Sequence, residues 1–243
     1  PQTMSKIVWA MAKLEVKLQK LVSKVSEEAL EKLPEFEPQQ LVNMMWAYAT
    51  MRSEEPTLRQ LDALHGRLHS LAPLGQANLA WAVAKLMVRD WNTEELVTEC
   101  RMAVKEMNGQ NLANTSWAFA TLRIADEDFF DAVVTQVVKN QCHDFGQQNL
   151  SNTAWAFAKV QIKRPEMMSS ISRSVQRMSD KMPAQGVANT VWAFATLHIR
   201  DDPLMCSMRQ ILMKGMGRFQ LQNVMNSTWA FAKLTCADSE LMA

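Results

Sequence analysis

The polar side chains best placed to do chemistry recur at fixed offsets from a tryptophan. Seven positions before it stands glutamine in six of seven cases (Gln2, Gln39, Gln110, Gln148, Gln185, Gln222), with Leu74 the exception. Three before it stands asparagine in six (Asn43, Asn78, Asn114, Asn152, Asn189, Asn226), with Lys6 the exception. Four after it, lysine (Lys13, Lys85, Lys159, Lys233) alternates with threonine (Thr50, Thr121, Thr196). Amides donate and accept hydrogen bonds side by side, and lysines neutralise anions. This is the chemistry of recognition, not of bond making.

The rest of the chain offers no catalytic constellation. His65 and His69 are four apart on an expected helix, but no cysteine or acid of matching spacing joins them to complete a metal site. Cys142 and His143 are adjacent and so diverge on a helix. The four cysteines (Cys100, Cys142, Cys206, Cys236) lack C-x-x-C spacing and read as buried or half-buried residues of a reducing compartment. The expectation is a protein that is not an enzyme and needs neither cofactor nor metal.

The marking tryptophans are Trp9, Trp46, Trp81, Trp117, Trp155, Trp192 and Trp229, separated by 37, 35, 36, 38, 37 and 37 residues. A period of about 37 residues holds a hairpin of two helices, and repetition at that period is the signature of a solenoid. We denote the tryptophan-bearing helix A and its successor B. The fold expected is all-α: an α-solenoid, wound as a right-handed superhelix, of tandem helix-turn-helix repeats, about six full repeats plus a terminal helix. Residues 1–243 read as a single repeat domain. Neither end shows a polar capping repeat, and the chain stops at Ala243 early in a seventh helix B, so it reads as a fragment or an open-ended array.

Within helix A, positions −5, 0, +1, +2, +3 and +5 are apolar, which places the helix against neighbours on several sides. The glutamine, asparagine and lysine/threonine positions lie within about 40° of one another on the helical wheel and form one polar stripe. With Ala, Ala and Leu at +1, +3 and +5, the tryptophan is assigned to the core in preference to a stacking platform. The asparagine row has two readings, a set of ligand contacts or an architectural ladder bonding backbone between helices. Helices B open after Ser53-Glu54-Glu55-Pro56, Asn92-Thr93-Glu94-Glu95, Asp126-Glu127-Asp128, Arg164-Pro165-Glu166 and Asp201-Asp202-Pro203, which are capping residues, first-turn prolines and acids suited to a helix N-terminus. Each helix A is preceded by a large apolar plug: Phe36, Leu71, Met107, Phe145, Met182 or Phe219. The β-branched stretch from Phe129 to Val138 is expected to be helical, and Trp91, outside the register, anchors a loop. The 18 methionines are read chiefly as packing.

Sorting charge by helix separates a surface that the net value of +1 conceals. The seven helix A windows (1–14, 38–51, 73–86, 109–122, 147–160, 184–197 and 221–234) hold five lysines and no acid, while all 25 acids lie elsewhere with the other 21 basic residues. Just beyond helix A, Arg52, Arg89, Arg123, Lys163, Arg164 and Arg200 would rim the same face. Amides, hydroxyls and spaced lysines suit a polyanion with hydrogen-bonding bases. No apolar run approaches membrane-spanning length.

Tandem units reading Asn-x-x-Trp-Ala-Phe-Ala-Lys/Thr-Leu, from about Met4 to Thr235, resemble the octotricopeptide and heptatricopeptide repeat proteins of mitochondria and chloroplasts. The resemblance implies an α-solenoid whose first helices bind single-stranded RNA in organellar RNA processing, stability or translation, or bind rRNA within a divergent organellar ribosome. It also implies protein partners in an organellar ribonucleoprotein and a mitochondrial or chloroplast location. Carried over, the RNA-facing helices are the helix A windows. The proline-rich opening of octotricopeptide units is missing here, as is the nuclease-like domain of many relatives. The competing reading is a protein scaffold, because armadillo-type solenoids also carry Trp and Asn one turn apart and clamp peptides with the asparagines.

Overall fold

The structure, a computed structural model, describes residues 1–53 and 57–234, and these are helical with no strand among them. Thirteen helices are described: α1 (Gln2–Lys13), α2 (Gln19–Glu31), α3 (Pro38–Met51), α4 (Thr57–Asp62), α5 (Pro73–Lys85), α6 (Glu94–Ala103), α7 (Gly109–Leu122), α8 (Glu127–Asn140), α9 (Gln147–Lys159), α10 (Pro165–Arg177), α11 (Ala184–Thr196), α12 (Asp202–Gly215) and α13 (Leu221–Lys233). Odd numbers are helices A and even numbers helices B. The fold is all-helical and consistent with an α-solenoid, with helices A stacked on helices A within each unit. The chain divides into two compact units, 1–107 and 108–243. In the first, α1 packs on α3 and α3 on α5; in the second, α7, α9, α11 and α13 pack in succession, while α10 touches α8 and α12.

The repeated phrase explains the stacking. Positions +1 and +3 are alanine in all seven repeats, so the flanks of each helix A are nearly smooth and neighbouring helices come close. Between those alanines, on the inner side, position +2 carries the core: Tyr48, Phe119, Phe157 and Phe194 are fully buried and Phe231 nearly so. In the second unit the rings continue edge to face through helix B, from Phe119 to Phe129 at 4.7 Å and from Phe130 to Phe157 at 4.9 Å. Phe129 and Phe130 lie on α8, so the β-branched stretch is helical as expected.

Turns follow two recurrent patterns. Helices A end in a residue of left-handed conformation six positions after the tryptophan: Glu15, Arg52, Met87, Arg123, Gln161 and His198. Its N–H donates to the carbonyl at +3 and the next N–H to the carbonyl at +2, as with Ile124 to Phe119 at 2.8 Å and Ile162 to Phe157 at 3.0 Å. That is a Schellman closure made without glycine. Most helices B run into a single 3₁₀ turn and then an extended plug residue; Phe36, Leu71, Met107, Phe145 and Met182 are buried, and Phe219 is half-buried. Asp126 and Asp201 accept from Phe129 N and Leu204 N at 2.7 and 3.0 Å and cap α8 and α12 as expected. The opening at Glu54–Pro56 lies outside the described residues, as do Thr235, Cys236 and Ala243.

One local expectation needs correction. The second helix B ends at Asp62, short of both histidines, because the chain turns through Gly66 at φ +73° and enters a 3₁₀ turn at Leu68–Ser70. His65 and His69 therefore share no helical face. His65 instead stacks on the buried Trp91 at 5.3 Å and faces Glu95 at 3.5 Å, and Glu95 accepts from the N–H groups of Gly66 and Leu68.

Gly109 ties successive turns of the second unit together. Its N–H donates to the Asp144 carboxylate, and a Cβ there would stand 2.6 Å from the Phe145 ring and 2.8 Å from the Asp144 carbonyl oxygen. Gly109→Ala is expected to lower stability by about 1–3 kcal/mol through overpacking. Phe157→Ala should cost roughly 3–5 kcal/mol and Trp155→Ala only about 1–2, since the phenyl ring is fully buried and the indole is not. Urea unfolding of the three variants measures both differences; equal losses at 155 and 157 would refute the assignment of the core to position +2.

Candidate nucleic-acid interface

Each helix A keeps one face out of the packing, and on it the stripe residues meet. The glutamines at −7 are exposed, and the asparagines at −3 are all half-buried. Gln39 donates to Asn43 Oδ1 at 2.9 Å. Among the described residues, the side-chain amides of Asn78, Asn114, Asn152, Asn189 and Asn226 bond no other protein group. The architectural ladder is thus not formed, and the amides stay open on one side. Lys13, Lys85, Lys159 and Lys233 are exposed. Thr50 and Thr121 are less available, because each hydroxyl donates to its own helix, to the carbonyls of Trp46 and Trp117 at 2.8 Å.

The tryptophans belong to this face, which overturns their assignment to the core. Trp9 and Trp229 are 43% exposed, and the five between them are half-buried. Trp46 and Trp81 have ring centroids 6.4 Å apart and planes 34° apart, and Trp155 and Trp192 repeat the arrangement at 6.4 Å and 31°. Lys13 Nζ lies 5.5 Å from the centre of Trp9 and 4.9 Å from that of Trp46, while Lys233 Nζ stands 4.7 Å over Trp229. The signal was in the spacing: position 0 lies about 20–60° from the stripe positions but about 160° from the buried position +2. Alanine neighbours suggested a core, whereas they form the flanks.

The rim divides. Arg52, Arg89, Arg123 and Lys163 are exposed. Arg164 donates to Asp131 at 2.8 Å and Arg200 to Asp202 at 2.7 Å, so these two guanidiniums are held by acids of helices B. The hydrogen bond to Asp131 raises the Arg164 pKa further above its ordinary value. None of Lys85, Lys159 and Lys233 forms an ion pair among the described residues.

Away from this face, a depression of about 370 Å³ at the α8–α9 turn is lined by Lys139, Asn140, Gln141, His143 and Asp144. Cys142 beside it is buried, and burial raises its thiol pKa, as it does for Cys100. Both are kept protonated and make poor nucleophiles. Cys206 is exposed, contrary to the expectation that the cysteines are buried or half-buried. Alkylation at pH 8 followed by peptide mass spectrometry should modify Cys206 well ahead of Cys100 and Cys142. Fast labelling of Cys142 would contradict the raised pKa.

These features define a helical-repeat protein that presents, on each unit, an acid-free row of amides, indoles and lysines. Residues 93–243, more than half of the chain, match the family described as RNA-editing substrate-binding complex 6 protein, and the chain belongs to that family. Membership indicates an RNA-associated helical protein. No curated protein matches the chain. The family match begins near α6, yet the same repeat phrase runs through the residues before it. No helix among the described residues is long and apolar enough to cross a membrane.

Proposed function

We propose that this protein holds single-stranded RNA on the exposed faces of its odd-numbered helices, without catalysis of its own, as a subunit of a mitochondrial ribonucleoprotein. The observation that carries this is the repeated meeting, on an acid-free face, of open asparagine amides with unpaired lysines. Family membership supports it: the family is named for a complex that binds the substrate of RNA editing, which is RNA. We extend the same reading to octotricopeptide- and heptatricopeptide-type repeats, in which the first helix of each hairpin meets the strand.

The division of labour follows from the chemistry. Lysines on long stems reach phosphates and position the strand without reading it. Glutamine and asparagine amides, shorter and directional, meet base edges and can discriminate among them. The acids on helices B, together with the Asp131–Arg164 and Asp202–Arg200 pairs, leave those surfaces to protein partners in the complex.

Replacing Lys85, Lys159 and Lys233 together by Gln should weaken every single-stranded RNA alike. The slope of log K against log salt should become shallower by about 0.7 for each phosphate no longer neutralised. Changing Gln110, Gln148 or Gln185 should instead alter preference among sequences. Titration of short labelled RNAs at several salt concentrations checks both; an unchanged affinity and slope in the triple variant would remove this face from RNA binding and leave a protein scaffold.

A further inference from the structure

The outward tryptophans have a use that phosphate and edge contacts do not exhaust. We propose that Trp46 with Trp81, and Trp155 with Trp192, are base clamps, each taking one unstacked base of a single-stranded RNA between its indoles. This rests on the RNA-holding reading above and adds stacking to it.

Three observations support the clamps. The two pairs, in different units, repeat one geometry, with centroids 6.4 Å apart and planes opened by 34° and 31°. A base sandwiched between two parallel rings needs their centres about 6.8 Å apart, twice the ~3.4 Å rise of stacked bases, and the observed 6.4 Å is close to that separation. Secondly, one ring of the first pair already receives a neighbouring group: the Lys13 ammonium lies 4.9 Å from the centre of Trp46. Thirdly, one turn before each ring stands a half-buried asparagine, and those at 78, 152 and 189 have no protein partner among the described residues. A base stacked on the indole would bring its edge toward that amide.

The same rings could take a cationic side chain of a protein. Charge decides against it. The odd-numbered helices contain lysines and no acid, so an arginine guest would enter a positive surface without a counter-charge, whereas a nucleotide brings its own phosphate.

The test titrates the protein with an oligoadenylate and with an abasic ribose-phosphate oligomer of equal length, following intrinsic tryptophan fluorescence and affinity. The expected result is quenching by the oligoadenylate alone and an affinity at least ten-fold above that for the abasic chain, as removal of a stacked base implies. Trp155→Leu with Trp192→Leu should narrow that ratio, and Trp155→Phe with Trp192→Phe should largely keep it. The triple lysine-to-glutamine variant should weaken both oligomers and leave the ratio intact. Equal binding of both oligomers by the parent, without quenching, overturns the clamps while the RNA-holding face stands. Binding of neither overturns both readings, and quenching by an arginine-rich peptide instead of RNA assigns the rings to a protein partner.

Discussion

The close lateral packing of helices A is the constraint from which the rest follows. Packed helices lie about 8–10 Å apart, nearer the lower end when the residues between them are small, and here alanine fills both flanks of every helix A. With the flanks smooth, large side chains have two directions left. The residue at +2 points inward and makes the core with helix B; the residue at 0 points outward, and in each unit a pair of these meets across neighbouring helices. One phrase, Trp-Ala-Phe-Ala, thus encodes a surface, a flank, a core and a second flank in sequence.

Much of this was legible. The helix A bounds expected from the phrase agree with those observed to within a residue or so, because the glutamine-to-tryptophan register and the preceding plug fix both ends. The plugs at Phe36, Leu71, Met107, Phe145 and Met182 were recognisable as large apolar residues in otherwise polar turns, and they are buried. What was not legible has physical causes. A left-handed closure leaves little mark in the sequence when glutamate, arginine, methionine, glutamine or histidine occupies it; the strain, roughly 1 kcal/mol, is offset by two hydrogen bonds to otherwise orphaned carbonyls. The pairing of Arg164 and Arg200 with acids depends on turn geometry that no periodicity reports.

The tryptophans show a subtler limit. An indole surrounded by alanines in an apolar run looks like core, and by hydrophobicity it is. The wheel angle is the better witness, since it sets position 0 beside the polar stripe. Type and direction disagreed, and direction won because seven inward indoles would need interhelical space that the alanine flanks close. An aromatic left outward on repeat after repeat, partly covered by its neighbours, keeps a π-face available while still contributing to the stack.

Charge segregation gives this face its character in a nearly neutral protein. Placing five lysines on helices A and every acid elsewhere produces a local positive potential without the general stickiness of a strongly basic chain. The lysines near the indoles then have two stations. In the free protein Lys13 and Lys233 lie over rings, which shields the apolar π-face and holds the charge near the surface. On the proposed reading the phosphate of an arriving nucleotide draws the Lys13 ammonium from Trp46 while the base enters between Trp46 and Trp81, so the two contacts favour each other. A protein built this way binds a strand by replacing interactions it already makes, which keeps the face ordered before the ligand comes and lowers the entropic cost when it does.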